Sequence, residues 1–260
     1  MVESVQYGDN CFLTLTYDDE HVPKDGSLVP RDLQLFIKRL RKHIEPRKVR
    51  YFGVGEYGDT SERPHYHVAL FGIQSCLRGY SSPRRDGSCC EVCDSMRKLW
   101  QLGNVFLGTL TEQSAHYVAG YVTKKLTSAD DVRLHGRRPE FARMSLRPGI
   151  GAGFMDEVAS VLMEHNLDVT QEDVPQTLQH GRRKWPLGRY LRQQLRIRVG
   201  LPKNNPKALQ KYQEELYPLQ VAAKRSAEFP SLKQHIIRAN TGGRIKLESK
   251  AFRNRKRGTL

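Results

Sequence analysis

The sequence predicts an α+β protein with a basic extension. Segments with the two-residue alternation of strands are interspersed with segments at the three- to four-residue spacing of amphipathic helices, and the charge excess lies in the second half. Cys11-Phe12-Leu13-Thr14-Leu15-Thr16-Tyr17 alternates apolar and hydroxyl residues, as a half-buried strand does, and the acidic, Pro- and Gly-containing stretch from Asp18 to Leu28 is loop. From Pro30 to about Ile44, Leu33, Phe36, Ile37, Leu40 and Ile44 fall on one helical face and Lys38, Arg39, Arg41 and Lys42 on the other, with proline near the start. Lys48 to Gly58 follows as a second strand, on which Phe52, Val54 and Glu56 share a face.

The next strand comes from Glu62-Arg63-Pro64-His65-Tyr66-His67-Val68-Ala69-Leu70-Phe71-Gly72, where a proline turn gives way to β-branched and aromatic residues and stops at a glycine. Ile73 to Asp94 is a long polar loop, Met96 to Leu102 a short helix around Leu99 and Trp100, and Asn104 to Leu110 a further strand. Thr111 to Lys125 is a helix that Thr111 or Ser114 can cap. Further on, Arg133 to Pro148 is a basic, irregular segment and Phe154 to His165 a helix with Met155, Val158, Ala159 and Leu162 on one side. Trp185 to Val199 is a helix with a basic face, and Pro202 to Leu260 a flexible basic arm. The expected organisation is a catalytic domain over 1–130, a helical extension over 131–200 and an arm over 201–260.

Composition narrows the classes. The net charge of +15 is carried almost wholly by residues 131–260, with 26 Lys+Arg against 12 Asp+Glu, and from Gly181 onward the balance is 21 against 4. Such a segment binds a polyanion by releasing its counterions, although a solvated tail has the same composition. A hydrophobic content of 38% and a mean hydropathy of −0.62 suit a polar surface over a modest core. No apolar stretch approaches the roughly 20 residues of a spanning helix, and Met1 to Asn10 lacks the pattern of a signal peptide, so no membrane is expected. Five cysteines, four of them bunched in one loop, argue against a secreted disulfide framework.

Three groups of residues carry chemistry. His65 and His67 at i and i+2 project to one side of their strand while Tyr66, Val68 and Leu70 point to the other. The loop from Asp59 to Pro64 is short enough for a hairpin, which brings Glu56 beside both imidazoles. A carboxylate and two imidazoles on rigid strands suit a divalent cation acting as a Lewis acid on phosphate. In the helix beyond, Tyr117 and Tyr121 at i and i+4 lie on one face, one turn before Lys124 and Lys125. A tyrosine with a pKa near 10 is a poor nucleophile unless a cation or a polarised electrophile is close, and those groups are the candidates to supply them. Cys90-x-x-Cys93 has the spacing of a zinc knuckle, with Cys76 and Cys89 as further candidate Zn²⁺ ligands, but no second separated pair completes the motif. The candidate DNA contacts are Lys125, Arg182, Arg183, Lys184, Arg253, Arg255, Lys256 and Arg257.

The order Phe-Leu-Thr-Leu-Thr-Tyr, Arg-Pro-His-Tyr-His-Val and Tyr-Val-Ala-Gly-Tyr-Val-Thr-Lys-Lys resembles the three motifs of the two-tyrosine HUH endonucleases. More closely, it is similar to the replication initiation proteins of gokushovirus-like microviruses, small single-stranded DNA phages. The likeness runs from about Asn10 to Gly153 and takes in Arg143-Met144-Ser145-Leu146-Arg147-Pro148-Gly149-Ile150-Gly151. It implies a central antiparallel sheet with flanking helices, the histidine strand lying centrally and the tyrosine helix crossing its face. It assigns Mg²⁺ or Mn²⁺ to Glu56, His65 and His67, the nucleophiles to Tyr117 and Tyr121, and the phosphate-positioning cation to Lys124.

The activity so implied is site-specific nicking and joining of a single strand at the phage DNA origin, through a 5′-phosphotyrosine and a free 3′-hydroxyl. It implies work on single- and double-stranded DNA in the cytoplasm of a bacterial host. No G-x-x-x-x-G-K-[ST] loop occurs in the sequence, so unwinding falls to a host helicase and extension to a host DNA polymerase. The alternatives are a plasmid rolling-circle initiator or relaxase of the same superfamily, or a non-catalytic DNA-binding protein with a structural metal.

Overall fold

The computed structural model describes residues 1–58, 61–79, 88–124, 131–167, 173–180 and 183–225, leaving out the side chains of 121–124, 180 and 183. It divides into a unit over Met1–Leu167 and a unit over Asp168–Leu260. In the first, the order is β1 (Asn10–Tyr17), α1 (Pro30–His43), β2 (Arg50–Tyr57), β3 (Pro64–Phe71), α2 (Glu91–Trp100), β4 (Gly103–Thr109), α3 (Glu112–Lys124), β5 (Phe141–Met144) and α4 (Phe154–Glu164). The strands form one antiparallel sheet in the order β4-β1-β3-β2-β5. The histidine strand β3 is therefore central, and an antiparallel sheet with flanking helices is the fold.

Strand alternation divides the sheet into two faces. Cys11, Leu13, Leu15 and Tyr17 of β1 and Tyr66, Val68 and Leu70 of β3 all point to one side and are buried. Helix α1 covers that side with Leu33, Phe36, Ile37 and Leu40. Each such aliphatic or aromatic side chain contributes about 1.5–3 kcal/mol on burial. Trp100 at the end of α2 is fully buried against Tyr17, Tyr66 and Phe36, and its indole N–H donates to Thr16 O at 3.0 Å. Arg39 on α1 donates to the carbonyls of Leu99 and Trp100 at 2.7 and 3.1 Å, closing the last turn of α2 against α1. The Tyr66 hydroxyl donates to Val29 O at 3.0 Å, and the Tyr17 hydroxyl donates to Asp32 at 2.7 Å, fixing the start of α1 to the sheet.

Four expectations are corrected. The segment expected to be loop as far as Asp94 turns helical at Glu91. Cys90 is extended and precedes the helix, Glu91 and Asp94 favour its first turn electrostatically, and buried Cys93 extends the apolar stripe of Met96 and Trp100 by one turn. The segment expected to be irregular over 133–148 contains β5, which pairs with β2 from Phe52↔Met144 to Gly55↔Phe141 and carries the sheet beyond residue 130. Phe141 lies on Gly55 so closely that a Cβ there would sit 2.6 Å from its ring, so this pairing depends on glycine.

The other two lie in the second unit. Its described residues form a hairpin of β6 (Thr177–His180) and β7 (Arg183–Pro186), then α5 (Arg189–Arg198) and α6 (Pro206–Arg225). Trp185 is thus in a strand rather than a helix, because Pro186 and the extended Gly188 separate it from α5. The arm expected from residue 202 is helical over 206–225, and 226–260 lie outside the described residues. No described helix is long and apolar enough to cross a membrane.

Candidate active site

The β2–β3 hairpin sets Glu56 directly opposite His65, and β1 sets Thr14 opposite His67. All four side chains rise from the face that α1 and α2 do not cover. Glu56 is 2% exposed. Its Oε1 lies 2.8 Å from His65 Nε2 and 3.0 Å from His67 Nε2, and its buried Oε2 has no hydrogen-bond partner among the described residues.

The second nitrogen of each imidazole is engaged from behind. His65 Nδ1 donates to the carbonyl of Arg63 at 3.0 Å, and Thr14 Oγ1 lies 2.9 Å from His67 Nδ1. A carbonyl only accepts, so the proton of a neutral His65 sits on Nδ1, and Nε2 facing a carboxylate at 2.8 Å requires a cation there, either a proton or a metal ion. Without metal the proton takes that place. Burial lowers the His65 pKa, but Glu56, Arg63 O and nearby Glu140 outweigh it and raise it. Burial pushes the Glu56 carboxyl up, yet its hydrogen bonds to His65 and His67 hold it down to about 2.

The set also fits a divalent ion. One carboxylate oxygen and two imidazole nitrogens converge with their second-nitrogen partners in place, and a spare buried oxygen remains. Adjacent corners of an octahedron with bonds of about 2.1 Å are about 3.0 Å apart, close to both Glu56–histidine distances.

Helix α3 brings the tyrosine to this set. A reciprocal cap starts it, with Thr111 N–H donating to Ser114 Oγ at 2.8 Å and Ser114 N–H to Thr111 Oγ1 at 3.2 Å. Buried Val118 seats the helix on the sheet. One residue earlier, Tyr117 is 46% exposed, its hydroxyl donating to Glu56 Oε1 at 3.2 Å. Its ring stands edge-on to His67 at 5.1 Å and to Phe12 at 6.4 Å, while Phe12 stacks on His67 at 5.3 Å.

The predicted site residues therefore fall into groups. Glu56, His65, His67 and Tyr117 are brought together. Tyr121 lies one turn further along α3 and Lys124 closes it, with both side chains outside the described residues. Lys125, Arg182, Arg253, Arg255, Lys256 and Arg257 lie outside them altogether, as does the Arg183 side chain, while Lys184 is exposed on β7 of the second unit. Cys76, Cys89, Cys90 and Cys93 converge with every sulfur within 4.8 Å of the others, although no second pair was visible in the sequence. Sequence reasoning missed Thr14, Phe12 and Glu140. The last is 5% exposed, accepts from Tyr57 N–H at 3.1 Å and acts electrostatically on His65.

Comparison with known proteins places this geometry. The model of the family described as replication-associated protein ORF2 matches residues 10–126, the stretch that holds β1 to α3. Over that stretch the chain belongs to this replication-associated family. Similar members include the replication-associated protein VP4 of Bdellovibrio phage phiMH2K, 40% identical over 136 residues, which are 50% of this chain and 43% of the relative. The replication-associated protein ORF2 of Spiroplasma virus 4 is 35% identical over 155 residues, covering 57% of this chain and 48% of its own length. The replication-associated protein ORF4 of Chlamydia phage 1 is 30% identical over 138 residues, covering 50% and 34%. The match thus spans less than half of each relative. No solved structure matches the chain. Within the family stretch, the Glu56–His65–His67 set and Tyr117 all lie on one face of the sheet.

Proposed function

We propose that the chain initiates replication of a phage genome by nicking and rejoining one DNA strand at its origin, with tyrosine as nucleophile. One observation carries this reading: the Tyr117 hydroxyl lies 3.2 Å from the carboxylate that two histidines share. A hydroxyl there is beside any phosphate whose oxygen is held at the three ligands. Mg²⁺ or Mn²⁺ bound by Glu56, His65 and His67 would draw charge from a non-bridging phosphate oxygen and make phosphorus more electrophilic.

The chain's own residues account for the rest. The Tyr117 oxygen attacks phosphorus in line, the bond from phosphorus to the 3′ oxygen breaks, and the departing oxygen takes a proton to become a free 3′-hydroxyl. The tyrosine gives up its proton and is left as a 5′-phosphotyrosine. One ester replaces another, so the bond energy is retained and no nucleotide is consumed. Arg63 and Thr14 hold the two imidazoles in orientation, and Phe12 closes one side of His67. Tyr121 and Lys124 supply the second nucleophile and the phosphate-positioning cation. A host polymerase then extends the 3′-hydroxyl behind a host helicase. The second tyrosine cuts the regenerated origin, and the released strand is closed. The basic second half retains the DNA by counterion release.

The test is to incubate the protein with Mn²⁺ and labelled single-stranded origin DNA and look for a protein-linked band on a denaturing gel. A band that survives denaturation and disappears in Tyr117→Phe/Tyr121→Phe and in His67→Ala supports the proposal. Binding without any covalent adduct, across metals and candidate origins, would sink it.

A further inference from the structure

A second cluster of ligating side chains lies outside the site described above. Cys76 follows β3, Cys89 and Cys90 lead into α2, and Cys93 stands in its first turn. None of the five cysteines is in a disulfide. We propose that Cys76, Cys89, Cys90 and Cys93 together hold one structural Zn²⁺ as a closed tetrathiolate, clasping the β3–α2 connection to the helical face of the sheet.

The spacing of the sulfurs is the first argument. Cys76 Sγ lies 3.8 Å from Cys89 Sγ and 3.9 Å from Cys90 Sγ, and all four fall within 4.8 Å of one another. A disulfide would need about 2.05 Å. A tetrahedron with zinc–sulfur bonds of about 2.3 Å has edges of about 3.8 Å, so the thiols already stand at the corners a single ion requires.

Ligand chemistry is the second. Four soft sulfurs without carboxylate or imidazole select zinc over Mg²⁺ or Mn²⁺, the reverse of the preference at Glu56, His65 and His67. Four protein ligands also leave no open position for substrate, which marks a structural centre.

Place in the fold is the third. Cys76, Cys89 and Cys93 are 4%, 5% and 0% exposed, and Cys93 belongs to the same buried core as Cys11, Met96 and Trp100. The carboxylate–histidine set rises from the opposite face of the sheet, so the two centres are separated by the sheet itself. Arg78 brings a guanidinium nitrogen to 3.9 Å from Cys89 Sγ, where it offsets part of the net negative charge of a zinc tetrathiolate. The Cys89 N–H donates to Asp94 at 3.0 Å, so the turn that presents Cys89 and Cys90 is tied to the helix bearing Cys93. The zinc is independent of whether the other face nicks DNA.

The test uses the full chain, purified reduced and dialysed against EDTA. Elemental analysis is expected to find one zinc per chain, retained in His65→Ala/His67→Ala and in Cys11→Ser, and released when a mercurial blocks the thiols. Cys89→Ser/Cys93→Ser is expected to lose that zinc. Should this variant fail to fold, Co²⁺ titrated into reduced, zinc-stripped wild type is expected to give the sulfur-to-metal charge-transfer absorption of a tetrahedral thiolate site. Zinc that is absent from the wild type together with no Co²⁺ charge transfer overturns the proposal. So does zinc retained by folded Cys89→Ser/Cys93→Ser, or zinc lost with the two histidines.

Discussion

The two faces of the sheet share strands and differ in everything placed on them. On the α1–α2 face, Leu13, Leu15, Tyr66, Leu70 and Trp100 are sealed from water, and the polar hydroxyls of Tyr17 and Tyr66 are spent on Asp32 and Val29. On the α3 face, a buried carboxylate is shared by two imidazoles and reached by a half-exposed tyrosine. Alternation along β1 and β3 lets consecutive residues serve opposite ends, so Tyr66 builds the core while His65 and His67 face the chemistry. Substitutions on the two faces should therefore fail in different ways.

The largest expected effect is on the chemistry. Glu56→Ala removes the oxygen on which His65, His67 and Tyr117 converge, and adduct formation should fall by on the order of 10³-fold or more. Its thermal midpoint should move little, since the variant leaves the core untouched. A variant that still forms adduct at a tenth of the wild-type rate would show that the carboxylate is dispensable. Trp100→Ala is the mirror case. It empties the largest fully buried side chain and should cost about 3–5 kcal/mol in denaturant unfolding, while the protein that remains folded keeps its rate of adduct formation. A normal midpoint would mean that the helical face is not the seat of stability.

Thr14→Val sharpens the comparison at one residue. It keeps the strand-compatible shape but removes the hydroxyl 2.9 Å from His67 Nδ1. Metal affinity should drop about 10- to 100-fold, as when an orienting partner of a ligating imidazole is lost, with unfolding free energy changed by about 1 kcal/mol. Isothermal titration with Mn²⁺ reads the first and urea unfolding the second.

What was legible in the sequence followed the same division. The histidine pair, the core strands and α1 could be read because period-two and helical spacing are local properties, and a short loop joined the Glu56 strand to the histidine strand. Thr14, Phe12 and Glu140 could not be read that way. Their places depend on which residue of β1 or of the segment before β5 lies beside which residue of β2 and β3, and register is a long-range property. The edge strand β5 was missed because four half-exposed residues, two of them Arg143 and Met144, carry too little pattern to separate them from loop. Cys76 could be noted but not joined to Cys89, Cys90 and Cys93, because only the fold of the connection after β3 brings its sulfur back. Reading cysteine as a loop ligand also hid the start of α2, where Cys93 is buried as an apolar residue.

The smallest effect, and the one that best isolates the chemical face, is the pH dependence of metal-induced stabilisation. In the metal-free protein the His65 pKa is raised, so its pairing with Glu56 contributes stability fully present below the unfolded value of about 6.5 and lost as pH rises through the folded one. Glu56 is held down to about 2, so its contribution is present above the unfolded carboxylate range and lost only in acid. Between those limits the proton on His65 stabilises the set. A metal ion must displace that proton, so each pH unit below the His65 pKa should weaken binding about tenfold. The rise in melting temperature on adding Mn²⁺ should therefore be small near about pH 6 and grow toward about pH 8. In Glu56→Gln the rise should vanish at both. A rise independent of pH in the wild type would mean that the ion binds elsewhere. A zinc held by Cys76, Cys89, Cys90 and Cys93 would leave this Mn²⁺ response unchanged, because EDTA-resistant zinc and exchangeable Mn²⁺ occupy opposite faces of the sheet.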